Sequence, residues 1–167
     1  MNSAMQEVAE KQGQVIGQLS HCEAAIGRLY ERYGEAFPSM RDQWLSLADQ
    51  EKTHASLLRG LQAALPPGQL LFNLERFSTF RIAAILRYIE GRMQGVESWE
   101  PLPVEALSVA LNLENTLIEA DFYGIVRCDA PEFKYVAARL AADTRRHAAE
   151  LDRMMFSHGK TDARVSA

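Results

Sequence analysis

The stretch Leu47-Ala48-Asp49-Gln50-Glu51-Lys52-Thr53-His54 decides how this chain folds. It lies in a long helical pattern in which Met40, Trp44, Leu47, Leu58, Leu61 and Leu65 recur at steps of three and four. Glu51 and His54 occupy the same inward stripe, where a helix should carry Leu or Ile. Residues three apart are neighbours on a helix surface, so a carboxylate and an imidazole point together into a core. Left unpaired there, they would cost several kcal/mol. A metal ion is the sharpest partner, because helical bundles present iron or manganese ligands as Glu-x-x-His.

Ninety-three residues further on (54 to 147) the chain reads Leu140-Ala141-Ala142-Asp143-Thr144-Arg145-Arg146-His147, with Leu151 where the first copy has Leu58. The same offset pairs Tyr30 with Tyr123 and Pro38 with Pro131. The chain therefore repeats one helical hairpin. The second copy keeps the histidine and carries Thr144 in place of the glutamate.

At 167 residues with 47% apolar content, the chain suits one domain with a sizeable core. We expect residues 1–158 to form it and 159–167 to be a flexible polar tail. No apolar run approaches the ~18 residues of a membrane helix, and the start lacks the basic-then-apolar order of a signal peptide. A net charge of −4 gives no electrostatic reason to expect nucleic acid. Cys22 and Cys128 are single and far apart, which excludes a disulfide framework and makes a reducing cytoplasm the expected location. Cys22 reads as a small core residue, and His21 and His158 as solvated.

Taken in order, residues 4–33 read as one helix with Glu23 on its apolar stripe, ended by Gly34 as a cap and by Pro38. A second helix, 39–65, carries Glu51 and His54 and stops at Pro66-Pro67-Gly68. Residues 74–93 form a crossover helix long enough to return the chain to the other end. One stripe of it is Ile82, Ile85, Leu86, Ile89 and Met93; another is Phe77, Phe80, Ala84 and Tyr88, flanked by Arg76, Arg81, Arg87 and Arg92. The second stripe is either part of a wider buried face or the contact of a homodimer. A helix over 104–127 follows, with Glu114 inward. The last helix opens at Pro131, carries His147 and closes at His158 and Gly159. The class is all-α, with four long helices that each place a polar residue inward near mid-length: Glu23, Glu51 with His54, Glu114, and His147.

In this arrangement Glu23 with Tyr30, then Leu47-Ala48 to Glu51-x-x-His54, then Ala106-Leu107 to Glu114 with Phe122-Tyr123, then Leu140 to His147 resembles the rubrerythrin branch of the ferritin-like superfamily. The resemblance covers about residues 10–155. It implies a ferritin-like four-helix bundle with a helical crossover between its second and third helices. It also implies iron as cofactor, one or two ions, with manganese or zinc as alternatives, held by Glu23, Glu51, His54, Glu114 and His147. The activity implied is a redox step on peroxide, dioxygen or ferrous iron, fed by an external electron donor, since no rubredoxin-like Cys-x-x-Cys module follows.

Two further departures from that pattern shape the expectation. Thr144 stands where the fourth carboxylate belongs, and three carboxylates against the four charges of two divalent ions favour one tight ion, or two with the second weak. Asp143 is adjacent but turned by 100° around the helix. Glu114 precedes Tyr123 by nine residues whereas Glu23 precedes Tyr30 by seven, so the third long helix either bulges or the tyrosine match is accidental, with Thr116 as the alternative equivalent. A metal-free alternative stays open: Glu51 and His54 paired with each other and with Tyr30 or Tyr123, in a scaffold whose aromatic crossover face binds a partner.

Overall fold

The computed structural model describes residues 3–64, 70–72, 79–98, 102–119, 126–128 and 131–165. The all-α class expected from the sequence is what it shows, apart from one short pairing of extended segments. Helix α1 is Ser3–Ala36, α2 is Arg41–Ala64, α3 is Thr79–Ser98, α4 is Pro103–Glu119 and α5 is Pro131–Val165. Along α1 the buried residues Ile16, Leu19, Ile26, Leu29, Tyr30 and Tyr33 form a continuous stripe against α2. In the same way α4 packs along α5, and α3 lies against α1. The two hairpins meet where α2 touches α5.

Local sequence explains the boundaries. α1 runs past Gly34, so that glycine is not the cap the sequence suggested. A Cβ there would sit 3.4 Å from Trp44 Cβ and from Leu45, so the missing side chain serves the close packing of α1 on α2. Phe37 breaks the helix, and Pro38–Met40 form a 3-10 turn that leads directly into α2. Asp42 then lies in the first turn of α2, where a carboxylate complements the helix dipole. At the start of α4 the Leu102 carbonyl accepts from Glu105 N and Ala106 N, while Glu105 Oε2 accepts from Leu102 N at 3.1 Å. The side chain of the third helical residue thus caps its own N-terminus. Pro131 opens α5 at a position where its missing N–H costs nothing.

Three segments differ from the sequence reading, the first being α3, which runs past the expected end at residue 93 to Ser98. The helix expected over 104–127 ends at Glu119, and Val126–Cys128 is instead a short strand, β2, antiparallel to Leu70–Phe72, β1. β-Branched Val126 and the apolar Leu70-Leu71-Phe72 suit extended pairing, and the pairing ties the connection after α2 to the one before α5. At the other end α5 continues through Gly159 to Val165, over residues the sequence suggested were a tail. Tyr123, Phe77, Arg76 and the Pro66-Pro67-Gly68 stop lie outside the described residues.

On α3, Ile82 and Ile89 are buried, with Ile85, Leu86 and Met93 packed beside them. Its second stripe faces outward: Phe80 is 71% exposed and Tyr88 38%. Arg87 lies 5.9 Å from the Phe80 ring centroid and Arg92 lies 5.0 Å from that of Tyr88, within cation–π range. No helix among the described residues is long and apolar enough to cross a membrane.

Candidate metal centre

Four helices deliver the inward polar residues to one level. Glu23 from α1, Glu51 and His54 from α2, Glu114 from α4 and His147 from α5 are all essentially inaccessible to solvent. They form two groups that share one member. Glu23, Glu51 and His54 offer ligand atoms within 4.8 Å of one another, and so do Glu51, Glu114 and His147. The backbone makes this approach feasible at Gly27. A Cβ there would lie 3.2 Å from the Ala48 carbonyl oxygen and 3.3 Å from Glu51 Cβ, so a larger residue would press the two helices apart by a few tenths of an ångström at the level of Glu51.

The two histidines have the same orientation. His54 Nδ1 lies 3.2 Å from Glu51 Oε2 and 3.6 Å from Glu23 Oε2, and its Nε2 faces Asp143 Oδ2 at 3.2 Å. His147 Nδ1 lies 2.7 Å from Glu51 Oε1 and 3.7 Å from Glu114 Oε1, and its Nε2 faces Gln50 Oε1 at 3.2 Å. The rings stack, 5.5 Å apart at 19°. Each imidazole therefore turns Nδ1 into the carboxylates and is held from behind through Nε2, an arrangement that fixes ring orientation in metal sites. Arg146 connects the two supports: it lies 2.8 Å from Asp143 Oδ1 and donates to Gln50 Oε1 at 2.8 Å.

Several atoms in this cluster are placed for something other than one another. Glu51 Oε1 and His147 Nδ1 are 2.7 Å apart, yet they are out of line for a hydrogen bond, and each lacks one among the described residues. Glu114 Oε2 is likewise buried without a hydrogen bond there, while Glu114 Oε1 accepts from the Tyr30 hydroxyl at 2.7 Å. A buried oxygen without a hydrogen bond, as at Glu114 Oε2, costs about 1–3 kcal/mol. Carboxylates and imidazoles gathered within 4.8 Å in two groups could hold a metal ion. An ion about 2.1 Å from each donor spans ligands up to about 4.2 Å apart, so small side-chain shifts would close either group on an ion. Three carboxylates and two imidazoles suit iron, manganese or zinc.

The electrostatics express the same crowding. Burial, then the charges of Glu23 and Glu114, push the Glu51 carboxyl up to about 8. Burial opposes the charge of His54, but hydrogen bonding and the field of Glu23 and Glu51 outweigh it and raise His54 to about 10. Against the same cost of burial, Glu114 and Glu51 raise His147 to about 9. Burial and the Glu114 charge push the Tyr30 phenol well above its usual value, so it remains a neutral donor.

All five residues singled out from the sequence come together here. Thr144 is buried, but its hydroxyl donates to the Leu140 carbonyl at 3.0 Å and not into the cluster. Asp143 reaches His54 from outside and belongs to neither ligand group. Thr116 is on the outside of α4, bonded to Asn112 O. Tyr30 touches Glu114, not Glu51 or His54. Cys22 is a buried free thiol, pushed well above its usual value by burial. Sequence reasoning missed Gln50 and Arg146; the available signal was their adjacency to Glu51 and His147, which puts them on the stripe's edge. Comparison of the chain with family models, with curated proteins and with solved structures finds no match.

Proposed function

We propose that the chain is a rubrerythrin-like, ferritin-like four-helix bundle that holds two divalent transition-metal ions, iron first, and performs a redox step on peroxide, dioxygen or ferrous iron. The observation that carries this reading is the pair of three-ligand groups sharing Glu51, in which Glu51 Oε1, Glu114 Oε2 and His147 Nδ1 are buried without a hydrogen bond among the described residues. Glu51 would lie between two positions, Glu23 with His54 on one side and Glu114 with His147 on the other. Bound iron would supply the one-electron chemistry; the chain's own residues do the rest. Asp143 and Gln50 orient the two imidazoles, Tyr30 holds Glu114 by one oxygen, and the surrounding core excludes bulk water. Crossing helices α1, α2, α4 and α5 fix the ligands from four directions, as a rigid site requires.

The reading includes an external electron donor and a homodimer through the exposed aromatic stripe of α3, supported by Phe80 and Tyr88 standing in solvent beside Arg87 and Arg92. Ferrous ion titrated into chelator-treated protein tests the centre. We expect two equivalents, the first tight and the second weaker because three carboxylates face four positive charges. Absence of any saturable uptake of iron, manganese or zinc refutes it.

One observation favours a second reading, a metal-free scaffold. With both imidazoles charged, His54 and His147 neutralise the carboxylates on their own. In that case chelator leaves the melting temperature unchanged.

A further inference from the structure

A cleft of about 450 Å³ opens between α1 and α2, outside the carboxylate–histidine cluster. Its volume is in the range of small-molecule sites, roughly 300–1,000 Å³. Gly17 puts no side chain into it, and polar contacts cross it from one helix to the other. Gln62 Nε2 on α2 donates to the Gly13 carbonyl on α1 at 2.8 Å. Ser20 is buried; its hydroxyl donates to the Ala55 carbonyl at 2.9 Å and accepts from Arg59 Nη1 at 3.3 Å. None of the residues lining the cleft belongs to either ligand group of the centre.

Two groups here have needs that the protein leaves unmet. Arg59 gives one N–H to Ser20 and forms no ion pair among the described residues, which leaves the rest of its guanidinium fork open. Its neighbours one turn away on α2 are Ala55, Ser56, Gln62 and Ala63, so its own helix supplies no anion. His21 is a second donor at the exposed rim, and no carboxylate lines the cleft among the described residues. The chain has 22 acidic residues against 18 basic ones, so a cleft with a cation and no acid goes against its general charge. Gln18 is the opposite case: its Oε1 is a buried acceptor with no donor among the described residues. Gln62 Oε1, 3.7 Å from where a Cβ of residue 17 would sit, adds another acceptor. A solvated Arg59 lying over a groove accounts for its exposure, but not for the missing acid or for Gln18.

We propose that this cleft binds a small hydroxylated oxyanion. The oxyanion head, phosphate or carboxylate, lies on the Arg59 guanidinium and the His21 ring, since an arginine fork matches two oxygens of such a head. The hydroxyl-bearing body lies against Gln18 and Gln62. A fully ionised head has only acceptors and leaves Gln18 Oε1 unsatisfied; a hydroxyl donates to it. Binding here needs no metal, so the site stands or falls separately from the metal reading of the centre.

Titration calorimetry on the chelator-treated full chain tests this. Glycerol 3-phosphate and L-malate are the probes for the two heads; inorganic phosphate lacks the body and glycerol lacks the head. One of the two hydroxylated anions should bind saturably with Kd of about 1 mM or tighter, and the tighter arm identifies the head. Inorganic phosphate should bind roughly tenfold more weakly or worse, the loss of the body's hydrogen bonds, and glycerol should not bind. Arg59→Gln should weaken binding by roughly tenfold or more, the loss of a charge-assisted pair. Lys52→Gln makes the same charge change outside the cleft and should leave Kd unchanged.

Gly17→Leu gives a second check. A Cβ at 17 meets Gln62 at 3.6–3.7 Å, ordinary contact, so the variant should fold with unchanged circular dichroism while its side chain fills the cleft and abolishes binding. It carries the test if Arg59→Gln does not fold. Four results overturn the proposal: no saturable binding of either hydroxylated anion, inorganic phosphate binding as tightly as the better one, equal losses in Arg59→Gln and Lys52→Gln, or undiminished binding to folded Gly17→Leu.

Discussion

Loading the centre with metal should release protons in a number that the structure sets. Burial and mutual repulsion hold Glu51 at about 8, and the carboxylates around them hold His54 at about 10 and His147 at about 9. At pH 7 all three carry a proton, yet a metal needs neutral imidazole nitrogens and ionised carboxylates. An ion at Glu51, Glu114 and His147 therefore expels about two protons, and one at Glu23, Glu51 and His54 expels a third. With about three protons released and 1.36 kcal/mol per proton per pH unit, the combined affinity rises about a thousandfold, roughly 4 kcal/mol, between pH 6 and pH 7. Titration calorimetry of zinc into chelator-treated protein, in buffers of different ionisation heat, counts the protons directly. Release of fewer than one proton at pH 7 would mean that the imidazoles were already neutral, and would refute the imidazolium–carboxylate account of the metal-free state. The same shifts fix the trend of the apo-protein. All three folded values are raised, so the stability that protonation contributes is complete below the unfolded values, near 4.5 for Glu51 and 6.5 for the histidines. It is lost as pH rises through about 8 to 10. Chelated protein should thus weaken with rising pH over the range where metal binding strengthens.

Four further outcomes follow from the geometry. His54→Ala should abolish most of the metal-dependent stabilisation, about 2.7 kcal/mol at a hundredfold excess over Kd; equal destabilisation with and without chelator in melting curves would favour the metal-free pair instead. Asp143→Asn leaves the five candidate ligands in place but weakens the acceptor behind His54 Nε2, so competitive titration should show a 10–100-fold loss of metal affinity, and an unchanged Kd would remove Asp143 from the centre. Gly27→Ala forces its Cβ against the Ala48 carbonyl and Glu51 Cβ; denaturant unfolding should show a cost of about 1–3 kcal/mol, and a neutral result would mean that α1 can withdraw freely. Phe80→Asp should convert the protein from dimer to monomer by light scattering without changing its helical circular dichroism, and a wild type that is already monomeric rules out the α3 interface.

Much of the molecule was legible in the sequence because helical periodicity and the 93-residue repeat are local signals. Glu51 and His54 on an apolar stripe, and His147 at the matching place in the second hairpin, identify inward polar positions without any tertiary knowledge. Inward placement costs free energy that only a shared partner offsets, so these residues had to meet. The sequence likewise determined the all-α class and the presence of two apolar stripes on α3, since both follow from which residues recur every three or four positions; that the aromatic stripe faces outward came from the packing.

Only the tertiary structure decided matters of distance between helices. That Gly34 packs and does not cap, that Gly27 brings α1 within reach of Glu51, and that Tyr30 bonds Glu114 depend on how two helices approach. The strand at Val126–Cys128 pairs with Leu70–Phe72 more than fifty residues away, which no local window contains. The roles of Asp143, Gln50 and Arg146 were hidden for the same reason. Each is an ordinary polar residue at the edge of its own helix, and becomes part of the centre only because a histidine from the other hairpin turns its Nε2 toward Asp143 and Gln50, which Arg146 then links. Periodicity fixes the direction a side chain faces; the packing of one hairpin on the other fixes what it meets there.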